Sequence, residues 1–148
     1  VCAAVRAVVE AAREDFVPLR CEPQPDPVNP ALVRWAAQIQ IPAKVPACVI
    51  TYLPGAIDPP LYACGMDFGI DDPREVDSDY ARLVGQLRRC LPDWAVATDD
   101  DPAASSSTRL LAPEHDVTLR VAYRRIPLSY RLEVQRVAAR TGEPSPAP

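Results

Sequence analysis

Along residues 76–94, VDSDYARLVGQLRRCLPDW, the apolar positions Tyr80, Leu83, Val84, Leu87, Cys90 and Leu91 recur at i, i+3, i+4, i+7, i+10 and i+11, which draws one helical face. Asp79, Arg82, Gln86 and Arg89 fall on the opposite face. Asp77 or Ser78 supplies an acceptor for the unpaired amides of the first turn, the arginines of the last turn suit the helix dipole, and Pro92 stops the helix. A second amphipathic helix is predicted over residues 2–16, with Cys2, Val5, Val9, Ala12 and Phe16 on one face and Arg6, Glu10, Arg13 and Glu14 on the other.

The remaining periodicity is that of strands. Val33, Trp35, Ala37, Ile39 and Ile41 alternate with polar or small residues over 31–41. Residues 48–53 and 61–68 are rich in β-branched and aromatic side chains and flank PGAIDPP, whose prolines and glycine are turn chemistry, so a hairpin is predicted. Strands follow at 94–98, 108–111, 117–123 and 130–137. The clearest is 117–123, where Val117, Leu119, Val121 and Tyr123 face one way and Thr118, Arg120 and Ala122 the other. This order of amphipathic helices and half-buried strands specifies an α+β two-layer sandwich, a mostly antiparallel sheet with two helices packed on one face.

One such domain is expected over residues 1–140, because 148 residues with 48% apolar content build a core of ordinary size. Inside it, residues 22–30 (EPQPDPVNP) read as a proline-stiffened connector crossing the surface, and residues 99–107 (DDDPAASSS) as a flexible loop. Residues 141–148 read as a disordered tail. No internal sequence repeat is evident.

Composition narrows the setting. The net charge is −4, which disfavours a generic nucleic-acid binder, and no apolar run is long enough to span a membrane. Five cysteines without any CxxC spacing, beside a single histidine, His115, favour disulfides over a zinc site. A periplasmic or secreted location follows from that count. It also suits a chain that opens at Val1 without a basic-then-apolar leader, as expected where an upstream segment has been removed. Cys48 with Cys64 across the hairpin is the first predicted bridge, and Cys21 with Cys90 the second.

No catalytic, cofactor or metal-binding signature stands out. Cys64 before Gly65, with His115 as base, is the sharpest arrangement for a small thiol-dependent or hydrolytic enzyme, although nothing in the sequence places the two together. Carboxylates gather at Asp67, Asp71, Asp72, Glu75, Asp77 and Asp79 and again at 99–101, without the spacing of a calcium loop. The last strands leave Arg120, Arg124 and Arg131, with Arg125 and Arg136 nearby, on the side of the sheet turned to water. The leading expectation is therefore a non-enzymatic module that binds a protein through this face, an inhibitor or immunity-type protein being one form. An accessory domain of a larger secreted protein is a further alternative.

Overall fold

The computed structural model describes residues 2–41, 48–67, 73–101, 105–125 and 128–138. Helix α1 (Cys2–Ala12) precedes strands β1 (Arg20–Pro25), β2 (Val33–Ala37), β3 (Cys48–Tyr52) and β4 (Leu61–Asp67). Helix α2 (Pro73–Cys90) precedes β5 (Ala95–Asp101), β6 (Ser105–Leu111), β7 (Val117–Arg125) and β8 (Leu128–Arg136). All eight strands form one antiparallel sheet in the order β1-β2-β3-β4-β8-β7-β6-β5. The chain is thus an α+β sandwich with both helices on one face of the sheet.

Each half of the chain is a helix followed by a four-stranded meander, and the two final strands meet at the centre. The architecture is duplicated although the sequence shows no repeat. What the halves share is element order and burial pattern, which many side-chain combinations satisfy.

The core lies between helices and sheet. Val5, Val8 and Val9 of α1 and Leu83 and Leu87 of α2 meet Leu119, Val121, Leu132 and Val134, all buried. Helix α1 packs on β8 and α2, and α2 packs on β7 and β8. The helix-side surface of the N-terminal meander is sealed by Phe16, Leu19 and Ile41 instead, with the Phe16 ring stacked on Tyr62 at 5.9 Å. Tyr62 spans the layer: its hydroxyl donates to the Ile39 carbonyl at 2.9 Å and accepts from the Ile41 amide at 3.1 Å. Burial pushes this phenol up to about 12, so it stays a neutral donor.

Several boundaries differ from the sequence expectation. Helix α1 stops at Ala12 rather than 16, because Asp15 and Phe16 take left-handed backbone angles (φ 53° and 62°) that turn the Phe16 side chain into the core. Helix α2 starts at Pro73, a residue suited to a first helical position, so Asp77 and Ser78 lie within the helix and do not cap it. The proline-rich 22–30 stretch is in part a strand: Pro23 and Pro25 sit in β1 at the rim of the sheet, where a missing amide breaks no ladder on the open side. The expected loop 99–107 is largely hairpin. Asp99 pairs with Ser107, Asp100 with Ser106 and Asp101 with Ser105, and the Ser106 hydroxyl hydrogen-bonds the Asp100 carboxylate. Residues 102–104 and the expected tail 141–148 lie outside the described residues.

Two disulfides close the fold. Cys48 and Cys64 stand opposite each other on β3 and β4 and are bonded. The expected bridge between Cys21 and Cys90 does not form: Cys90 is bonded to Cys2, and Cys21 is a free, exposed thiol. The reason is geometric. Cys2 opens the inward face of α1, Cys90 closes the inward face of α2, and the packed helices bring their Cα atoms to 5.1 Å, whereas Cys21 belongs to the far edge strand.

A cluster of charges fastens the end of α1 to the sheet. Arg13 Nε donates to Asp116 Oδ2 at 2.8 Å, beside Glu114 at 3.5 Å, and Arg136 Nε donates to Asp15 at 2.9 Å. The hydrogen bond from Arg13 holds the Asp116 carboxyl below the ordinary carboxylate value and raises Arg13 in return.

Chain entropy makes the longer ring the stronger constraint. Its 88-residue separation corresponds to about 4–5 kcal/mol, against about 3 kcal/mol for the 16-residue ring, the two not being additive because one lies inside the other. Cys2→Ser/Cys90→Ser should therefore lower the thermal midpoint more than Cys48→Ser/Cys64→Ser. Titration with a thiol reagent in denaturant without reductant should find one reactive group per chain, Cys21.

Asp116→Asn should destabilise the fold at neutral pH. Because the folded-state pKa of Asp116 is depressed, its contribution is complete above the ordinary value of 3.8 and disappears as pH falls through the folded value. Denaturant midpoints of the two proteins should thus converge in acid. A difference independent of pH would assign the loss to packing alone.

Candidate functional site

The sheet face away from the helices is set by strand alternation. On β7, Val117, Leu119, Val121 and Tyr123 point into the core, so Thr118, Arg120, Ala122 and Arg124 point outward. The register carries the same side of the sheet across the neighbouring strands: Ala97, Arg109, Arg120, Glu133 and Ala63 form one row, and Asp99, Ser107, Ala122, Arg131 and Gly65 the next. Arg109, Arg120, Arg124 and Arg131 are all exposed on this face.

Of the described carboxylates on this face, Asp99 lies at the β5 rim and Glu133 stands between two of the arginines. Glu133 Oε1 accepts from Arg120 Nη1 at 3.4 Å, and its Oε2 lies 4.0 Å from Arg131 Nε. Neither contact is a close bidentate pair, and both arginines are about half exposed, so water screens the interaction. Arg109 lies directly opposite Arg120 on the adjacent strand. Among the described residues no carboxylate comes within ion-pair distance of Arg109 or Arg124. A concavity of about 330 Å³ runs beside this row, lined by Leu61, Arg109, Thr118, Arg120, Glu133 and Gln135 and ended by Arg136, Val137 and Ala138.

The structure thus brings Arg120, Arg124 and Arg131 onto one surface, and it adds Arg109. That residue was readable in outline, since the neighbouring Leu110 is an apolar core position and alternation turns Arg109 outward. Arg136 lies beside the open face at the end of β8, where it borders the concavity and donates to Asp15. The side chain of Arg125 lies outside the described residues.

The expected thiol of Cys64 beside His115 is not available. Cys64 is bonded to Cys48, so it is no thiol nucleophile, and His115 sits exposed in the β6–β7 turn with φ 60°. Cys48 and Cys90 are likewise bonded, which leaves Cys21 the free cysteine. Of the acidic stretch before α2, Asp71 and Asp72 lie outside the described residues, as do the side chains of Asp67 and Glu75. No group of three potential metal ligands forms among the described residues. No described helix is long and apolar enough to cross a membrane.

The two disulfides fit a small domain stabilised for an oxidising, extracellular setting. Comparison with protein-family models, curated proteins and solved structures found no match to this chain.

Proposed function

We propose that the chain is an extracytoplasmic, disulfide-stabilised, non-enzymatic module that recognises a protein partner through the open face of its sheet. The observation that carries this reading is the gathering of Arg109, Arg120, Arg124 and Arg131 on a face that neither helix covers. Arginine is the charged residue that interfaces favour, because its planar fork makes several directional hydrogen bonds while its stem packs against apolar surface. An inhibitor or immunity-type protein is one form of this reading, and an accessory domain of a larger secreted polypeptide is an alternative to it. Against the alternative of a small thiol-dependent or hydrolytic enzyme, Cys64, its candidate nucleophile, is half of a disulfide.

Site-specific cross-linking tests this reading. A photo-reactive residue in place of Ala122, at the middle of the open face, should capture a discrete protein from an extract of the source, whereas the same residue at Arg82, on the exposed side of α2, should not. Adding Arg120→Ala and Arg124→Ala should remove most of the adduct. Equal capture from both positions, or none from Ala122, would sink the choice of face.

A further inference from the structure

We infer that the segment seated on the open face is an acidic peptide stretch of the partner, with one of its carboxylates held between Arg109 and Arg120; this rests on the protein-binding reading above. Directly opposite residues on antiparallel strands hold their Cβ atoms about 5 Å apart, and like charges at that spacing repel. Arg109 and Arg120 occupy such a pair. A shared anion turns that repulsion into attraction.

The face already accommodates one carboxylate in this way. Glu133 lies between Arg120 and Arg131 at 3.4 and 4.0 Å, which shows that a carboxylate fits between neighbouring guanidiniums of the sheet. It does not satisfy them. Four exposed arginines stand against two described acids on this face, Glu133 and, at the β5 rim, Asp99, on a chain whose overall charge is −4, so the described face is of opposite sign to the molecule as a whole. Charge of that kind selects an acidic surface.

Shape agrees with charge. Ala63, Gly65, Ser107 and Ala122 contribute little height to the face, leaving the guanidiniums standing above a low floor on which an extended segment can lie. The concavity of about 330 Å³ beside Arg109 and Arg120 has room for a side chain, with Leu61 and Thr118 to meet its methylenes. A single-stranded nucleic acid fits less well. Such ligands stack their bases on aromatic side chains, and the described aromatics of the strands, Trp35, Tyr52, Tyr62 and Tyr123, all lie on the helix side of the sheet.

The probe is a fluorescein-labelled oligoglutamate peptide, with oligoglutamine and oligothymidylate DNA as comparisons, followed by anisotropy at low salt. Oligoglutamate should bind and the comparisons should not, and added salt should weaken binding as exposed charges are screened. Arg109→Ala/Arg120→Ala should weaken it by roughly tenfold or more, the scale of losing charged hydrogen bonds, while Arg82→Ala should leave it unchanged. Glu133→Gln gives the opposite sign: freeing Arg120 and Arg131 from the internal acid should tighten binding. Binding of DNA or oligoglutamine as tight as that of oligoglutamate, or weaker binding by Glu133→Gln, would overturn the inference. Its failure is separable from that of the wider reading. If the Ala122 cross-link captures a protein through a segment that is not acidic, only the acidic peptide falls; without any Ala122 adduct the protein-binding reading falls with it.

Discussion

Leu61 to Asp67 of β4 pair residue for residue with Gln135 to Ser129 of β8, and among the described residues this ladder alone joins the N-terminal meander to the C-terminal one. Everything else within each half pairs with its neighbour in sequence. The seam is therefore where the sheet must close its longest loop, some seventy residues between partners, before any core exists to reward it. Its helix-side residues explain how that cost is met. Tyr62, Cys64, Leu132 and Val134 are all buried there, α1 packs on β8 from the other half, and the Cys2–Cys90 bridge joins the helices above. The N-terminal helix thus rests on a C-terminal strand, so neither half is a complete unit by itself.

The two-layer architecture was legible because burial imposes a period. The faces of residues 80–91 and 117–123 alternate as a helix and a strand must, and the structure places them so. Where a segment lies at the rim, that signal fades. β1 and β5 are nearly exposed on both sides, so the prolines of the one and the aspartates that end the other, with the serines that follow, read as loop. Pairing with a neighbour overrides it. The helix ends were lost for another reason: Phe16 leaves helical geometry to reach Tyr62, a demand of packing that no local propensity records.

The same contrast runs through the cysteines and the charged face. Cys48 and Cys64 were placed by hairpin register, a local relation. The bond from Cys2 to Cys90 depends on which helix ends meet, and although Cys2 begins an apolar face and Cys90 ends one, the sequence leaves the direction of the helix packing open. Arginines are easier to assign, since a strand that buries its odd residues must expose its even ones. What alternation does not reveal is which strands are neighbours. Only the order β8-β7-β6 sets Arg109 beside Arg120 and gives both the company of Glu133.

The rims of the sheet carry a consequence of their own. An antiparallel sheet with a free edge is a template for further strands. On β1 the template is blunted in the backbone, by Pro23 and Pro25, and no change of surface charge can undo that. On β5 it is blunted by aspartates in the sequence, with amides and carbonyls left intact. The protein is thus a ribbon with one end finished and the other merely guarded: replacing Asp99 and Asp100 with threonines should open that rim to a further strand.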